Sequence, residues 1–263
     1  MGGVSGQNFL GNPVIPLLLN LTPAKFRHKL ALQLLGISPH YFIYLDKDRI
    51  LSGQKVGSYL LNQEHYRNKE SRHKISEKLV KPFVNKDMDV LDFGCGPGYL
   101  SCAVAKYAKS VIGTDISIGV IKCAEILNSG KNIKYVLGKM NGLSKFQDNR
   151  FDLIYTFAVF QHLNDLQFEK FLREFKRILK PGGKVICHIP IFSSPSTNEL
   201  ANKRVESNIL YRRIYIPMYY RKLDYVLKVI KESGFTLLNH YLGSKYLDCG
   251  DDICKQHIFE LSN

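Results

Sequence analysis

The sequence has no tryptophan, only four methionines, and 23 acidic residues against 37 lysines and arginines. It lacks any run of 18 apolar residues. The longest apolar stretch, NPVIPLLLNL, is short and broken by prolines, so no membrane-spanning helix is expected. The opening MGGVSG has no basic n-region of a secretory signal, and Gly6 stands where a myristoylation motif needs Ser or Thr, which leaves the cytoplasm as the expected compartment. Cysteine is sparse: Cys95, Cys102, Cys123, Cys187, Cys249 and Cys254 lie mostly in apolar segments, without the spacing of a disulfide framework, and read as free thiols. The tightest group, Cys249, Cys254 and His257, matches no common zinc spacing, so no metal site is expected.

The shortage of acid leaves a net charge of +14. That field favours phosphates, nucleic acid, acidic small molecules or an anionic membrane face, without choosing among them; a solvated basic surface accounts for it equally well. Hydrophobic residues at 45% and charged residues at 23% are ordinary for a folded domain.

From about residue 84 to 189, short β-branched or aromatic runs alternate with helical patterns, the pattern of βα units around a parallel sheet. The strands read as DVLDF, SVIGTD, IKYVL, FDLIYTF and KVICHIP. Helices are expected at YLSCAVAKYAK, at SIGVIKCAEILNSG with Ser117 as its cap and Gly130 at its end, and at DLQFEKFLREFKRILKPGG, stopped by Pro181. A further helix, RKLDYVLKVIKESGF, precedes two last strands, FTLLNHYLG and KQHIFELS. Residues 1–70 stand apart as a helical extension, and residues 191–220 as a cap insertion after strand five; specificity is expected in these two pieces.

The chemistry-bearing stretch is VLDFGCGPGYLS. Gly94, Gly96 and Gly98 allow a sharp turn between strand and helix with no Cβ in the way of a ligand, and Asp92 stands just ahead of them. The pattern is GxGxG, not the GxGxxG of dinucleotide folds. Asp115, 17 residues beyond Gly98 at the end of strand two, stands where a carboxylate accepts both hydroxyls of a ribose.

With LDFGCGPG, GTD, FDLIYTF and LKPGGKVI in this order and spacing, the chain resembles the class I S-adenosylmethionine-dependent methyltransferases, close to the broad small-molecule group, over about residues 71–190 and more loosely to 263. The resemblance implies a doubly wound Rossmann-like α/β sheet of seven strands, the last antiparallel, with the ligand at the carboxyl ends of the strands. It implies S-adenosylmethionine as cofactor: Asp92, Phe93, Gly94, Cys95, Gly96 and Gly98 at its methionine end, Asp115 and Ile116 at the ribose, and Lys139, Met140 and Asn141 beside the adenine. Phe157 and Ala158 would face cofactor and substrate. Many relatives carry an acid where Lys139 stands, and lysine accepts no hydrogen bond.

Transfer of an activated methyl needs mainly alignment, so no catalytic triad is expected. His162 is the candidate base, against a purely structural histidine at a helix start. Tyr66 and Arg67 are candidates to cover the cofactor carboxylate from the N-terminal side, against a solvated helix face. After strand four there is no DPPY-like tetrad; the glutamate pair of arginine methyltransferases, the Pro-Cys of cytosine C5 enzymes and a catechol-type metal acid are missing too. The acceptor that remains is a small metabolite, anionic or lipid-linked, methylated on oxygen or nitrogen. The insertion interleaves Arg204, Arg212, Arg213 and Arg221 with Tyr211, Tyr215, Tyr219 and Tyr220, which suits a phosphate-bearing ring or an unstacked base, or else a packed cap. An RNA methyltransferase and a non-catalytic binding module therefore stand as alternatives. IPLLLNLTPAKFRHKLALQLLG reads as one helix, docked on the core or lying at a lipid interface beside Lys25, Arg27, His28 and Lys29.

Overall fold

Strands rich in Val, Ile, Phe and Tyr bury both faces only where helices cover both sides of a sheet. In the computed structural model, which describes residues 9–37, 58–140, 142–192, 204–206, 213–215, 218–247 and 256–263, these runs do so. In chain order the strands are β1 (Asp89–Phe93), β2 (Ser110–Asp115), β3 (Ile133–Leu137), β4 (Phe151–Thr156), β5 (Leu179–Ile189), β6 (Arg204–Glu206), β7 (Arg213–Tyr215), β8 (Thr236–Leu242) and β9 (His257–Ser262). Seven of them form one sheet in the order 3-2-1-4-5-9-8, while β6 and β7 pair separately. β1 to β5 run parallel, and β9 lies antiparallel between β5 and β8. The strand order reverses at β1, between β2 and β4, and a doubly wound sheet opens a ligand crevice at the carboxyl ends beside such a switch.

The helices are α1 (Val14–Leu21), α2 (Ala24–Ile37), α3 (Ser58–Ile75), α4 (Tyr99–Val104), α5 (Ile118–Leu127), α6 (Asp165–Ile178) and α7 (Leu223–Glu232). α6 presents Phe168, Phe171, Leu172, Phe175 and Ile178 to one face of the sheet, at the expected spacings of three and four, where they join Val226, Val229 and Ile230 of α7. The opposite face is closed by Leu100 and Val104 of α4 and by Ile75, Leu79 and Val80 at the end of α3. α3 runs through residue 70, so the helix that begins in the N-terminal extension ends inside the core.

Four local expectations differ from the structure. The helix after the glycines ends at Val104 and continues as turns. Ser117 makes no capping bond with its side chain, and α5 closes at Asn128, ahead of Gly130. α6 stops at Ile178, before Pro181: the chain turns directly into β5, and the proline lies in the first residues of that strand, where the pairing with β4 shifts register between Phe151 and Leu153. A capping box at the other end of α6, with Asn164 accepting from Gln167 at 2.9 Å and the reverse bond at 3.0 Å, fixes where it starts. The N-terminal stretch is two helices, broken at Thr22 and Pro23, because the residue before a proline is driven out of the helical region. Both helices are docked. Leu10, Ile15, Leu19, Leu32 and Leu35 are buried with Val120 and Cys123 of α5, each large side chain contributing about 1.5–3 kcal/mol.

Candidate functional site

The crevice at the switch point is a cavity of about 210 Å³, and residues from six separate stretches of chain line it. The first stretch is the turn after β1. Gly94, Gly96 and Gly98 all adopt positive φ, at +77°, +52° and +81°. The N–H groups of Gly94 and Cys95 both donate to the Thr114 carbonyl at 2.8 Å, which ties the turn to β2. A Cβ on Gly94 would sit 2.2 Å from Val159 Cγ2, and one on Gly98 would sit 2.2 Å from the Tyr135 hydroxyl. These two glycines therefore admit neighbouring protein walls. Gly98 does not line the cavity, whereas Asp92, Phe93, Gly94, Cys95 and Gly96 do.

Asp92 is buried beneath the turn and accepts from Ser101 Oγ at 2.6 Å. Burial pushes its carboxyl up to about 7, against the Ser101 bond and the nearby Arg72 charge. Burial likewise raises the Cys95 thiol well above its ordinary value, so this cysteine is neutral wall, not nucleophile. Asp115, at the end of β2, is held from two sides: Oδ1 accepts from Ser117 N–H at 2.9 Å and Oδ2 from Gly96 N–H at 3.2 Å. Beside it Ile116 is 40% exposed, an apolar side chain at the cavity mouth, and Lys139 and Met140 continue the rim after β3. Asn141 lies outside the described residues.

A fourth stretch follows β4. Phe157, Ala158, Val159, His162 and Leu163 line the cavity. Ala158 is held at φ +59°, in the left-handed region that costs a non-glycine residue about 1–2 kcal/mol, and its N–H donates to Nδ1 of buried His188 at 3.2 Å. The Nε2 of His162 lies 3.1 Å from the amide nitrogen of Gln161. An amide nitrogen only donates, so Nε2 accepts, and the proton of the neutral ring sits on Nδ1.

α3 supplies the remaining wall with a different pair from the one expected. Tyr66 is 67% exposed and Arg67 is exposed as well, and neither lines the cavity; Asn68 and Arg72 do. The helix comes to the site as read, but Asn68 and Arg72, four residues apart, share its inward face, and Tyr66 and Arg67 lie off that face. Asn68 donates to Glu64 Oε1 at 2.9 Å and to its carbonyl at 2.8 Å. Burial raises Glu64 to about 7, and burial lowers Arg72 to about 10 against the charges of Asp92 and Glu64. His65 Nδ1 is 2.7 Å from the hydroxyl of Tyr99, another lining residue, and burial lowers this histidine to about 4, which keeps it neutral.

Part of the insertion returns to the site. Tyr219 N–H donates to the Gln161 carbonyl at 2.7 Å. Arg221 is no free guanidinium for a ligand: it is buried, donates to the carbonyls of Phe160 at 3.0 Å and Leu163 at 2.5 Å and to Asp165 at 3.0 Å, and lies 4.4 Å from the Phe168 ring centroid. The Tyr220 ring packs on Phe192 at 6.0 Å. Arg204 lies in β6, and Arg213 and Tyr215 in β7; Tyr211 and Arg212 fall outside the described residues, as do Cys249 and Cys254. Among the described residues no cluster of His, Cys, Asp and Glu could hold a metal ion, and no helix is long and apolar enough to cross a membrane.

Residues 91–187 match the family model described as a methyltransferase domain. An uncharacterized methyltransferase of Schizosaccharomyces pombe is 33% identical over 151 residues, covering 53% of this chain and 52% of its own. A ubiquinone biosynthesis O-methyltransferase of Chelativorans sp. is 34% identical over 108 residues, covering 40% and 41%. The chain thus spans about half the length of the curated relatives it matches. Among solved structures, Haemonchus contortus phosphoethanolamine N-methyltransferase 1, in complex with phosphoethanolamine and S-adenosylhomocysteine, superposes with a TM-score of 0.59 at 19% identity, over 92% of this chain and 50% of that one.

Proposed function

Because the chain belongs to the class I S-adenosylmethionine-dependent methyltransferases, we propose that it transfers the cofactor methyl to an oxygen or nitrogen of a small acceptor, anionic or lipid-linked. The observation that carries the reading is the polarity of the cavity from end to end. A half-buried cation, Arg72, and the amide of Asn68 stand at one end, the Asp115 carboxylate beside apolar Ile116 and Met140 at the other, and an apolar wall with one histidine between.

The residues fit the cofactor. Arg72 and Asn68 would take its carboxylate, Asp115 its ribose hydroxyls, and Ile116 and Met140 would pack its adenine, with Lys139 at the exposed rim. Bound there, the cofactor supplies a sulfonium methyl already activated toward nucleophiles. The chain's own task is to exclude water and align the acceptor, and for this Phe157, Ala158 and Leu163 form a rigid apolar wall. His162 would take a proton from the acceptor at Nε2 once the Gln161 amide moves off that atom, and Gln161 is also where the insertion binds, through Tyr219. The relative from ubiquinone biosynthesis and the excess of basic residues support a lipophilic or anionic acceptor.

Calorimetric titration with S-adenosylmethionine and S-adenosylhomocysteine tests the cofactor half. Both should bind, and Asp115→Ala should weaken each about tenfold or more by removing two charged hydrogen bonds. Equal affinity in the variant would remove Asp115 from the ribose. Labelled-methyl transfer to acceptor pools fractionated by charge and lipophilicity tests the other half, and label confined to RNA would overturn it.

A further inference from the structure

α1 is apolar at every position but Asn20, and the protein core uses only part of it. Ile15 and Leu19 are buried against α5, whereas Val14, Leu17, Leu18 and Leu21 are between 44% and 75% exposed. Phe9 just before this helix and Phe26 just after it are about half exposed as well. Half of the exposed large apolar side chains among the described residues thus fall within residues 9–26. Soluble surfaces scatter such residues singly, and a contiguous set marks a contact.

The charge around this face has one sign. Residues 1–45 contain Lys25, Arg27 and Lys29 and no aspartate or glutamate, the first acid being Asp46. The cations are placed at the rim of the apolar face. Arg27 donates from Nε to the Thr22 carbonyl at 2.8 Å and from Nη2 to the Asn20 carbonyl at 2.8 Å, which fixes its charge at the carboxyl end of α1. Lys25 lies 5.0 Å from the Phe26 ring centroid, and both Lys25 and Lys29 are exposed. A second copy docking here would set these cations against their own equivalents, which opposes self-association.

We propose that the outer face of α1 and the start of α2 rests on an anionic lipid bilayer. Leu17, Leu18, Leu21 and Phe26 enter the boundary between headgroups and acyl chains, and Lys25, Arg27 and Lys29 meet the phosphates. α1 sits on α5, where the Leu10 carbonyl and the Ile15 side chain close onto Gly119, four residues past Asp115. The bilayer contact is therefore built onto the helix that leaves the cofactor end of the cavity. It rests on exposure and charge outside that cavity, and holds whatever the acceptor.

The full chain should co-sediment with vesicles of phosphatidylcholine containing about one-third phosphatidylserine, and at least about tenfold less with phosphatidylcholine alone. Lys25→Glu with Lys29→Glu should cut binding to the anionic vesicles by roughly 25-fold, and Leu17→Ser with Leu21→Ser by about tenfold or more. Cofactor affinity and the circular dichroism spectrum should be unchanged in both double variants, since all four side chains are exposed. Equal binding to both vesicle types, no binding to either, or an unaffected lysine variant would overturn the proposal. So would a dimer in sedimentation velocity that Leu17→Ser with Leu21→Ser dissolves, which would assign the face to a second copy.

Discussion

The two walls of the cavity are made in different ways. The wall at the sheet edge, from Asp92 through the turn that ends at Gly98 to Asp115, is largely backbone: three glycines at positive φ, two of them lining the cavity, amides folded onto the Thr114 carbonyl, and a carboxylate pinned by two N–H groups. The wall from α3 is all side chain, with Asn68 and Arg72 reaching in from a helix whose other faces serve the core or solvent. A backbone wall is specified by a short contiguous stretch and fails through strain. A side-chain wall is specified by helical phase and fails through lost contacts, one residue at a time.

Gly98→Ala should break the first wall most severely. The new Cβ meets a Tyr135 hydroxyl that donates to the Asn128 carbonyl at 2.7 Å, at a φ of +81°. Strain and crowding together should cost about 2–5 kcal/mol in urea denaturation, with cofactor binding lost. Next comes the pH dependence of what lies between the walls. Asp92 and Glu64 each titrate near 7 when folded, above their ordinary range. The native state therefore holds more protons than the unfolded chain between about pH 4 and 7, and stability falls as pH rises through that window, by on the order of 4 kcal/mol for Asp92. Asp92→Asn should flatten the fall in thermal melts across the window, and Glu64→Gln should remove the rest; an unchanged slope in both would refute the assignment. The second wall is sharpened by a pair: Arg72→Ala should raise the Kd for S-adenosylhomocysteine roughly thirtyfold, about 2 kcal/mol, and Arg67→Ala should leave it unchanged in the same calorimetric titration. The smallest effect is Asn164→Ala. Loss of its cap should cost about 1 kcal/mol in urea denaturation and leave cofactor affinity intact.

The same contrast explains what was legible in the sequence. Strands β1, β2 and β3 are bounded in the structure where DVLDF, SVIGTD and IKYVL place them, and the cavity lies at the carboxyl ends of the strands, because these features depend on residues adjacent in the chain. The phase of α3 was not legible. Tyr66, Arg67, Asn68 and Arg72 are all polar or amphipathic, so no apolar stripe among them reveals which side turns inward. Burial of Glu64, His65 and Asn68 in a segment that reads as a solvated face is a tertiary fact. The place of Arg221 was left open for a related reason: among arginines and tyrosines in one insertion, nothing local distinguishes the guanidinium that folds back onto Phe160 and Leu163. His188 was hidden too, its link to Ala158 crossing from one strand to its neighbour. A signal existed only at Pro181, where LKPGG could be read as the start of a strand as readily as the end of a helix.

Ile191 and Arg221 pair as neighbours: the Arg221 carbonyl accepts from Phe192 N–H at 2.9 Å, and Arg221 N–H donates to the Pro190 carbonyl at 3.1 Å. The two ends of the insertion thus meet where they join the domain, like a handle closed at one rivet. The residues between Phe192 and Tyr219 can change in length and composition without moving the turn that carries His162, since that turn is held at the closure, by the Arg221 guanidinium on Phe160 and Leu163 and by the Tyr219 N–H on Gln161. Exchange of the intervening residues between chains of this architecture should therefore transplant acceptor preference while leaving the cofactor cavity as it is.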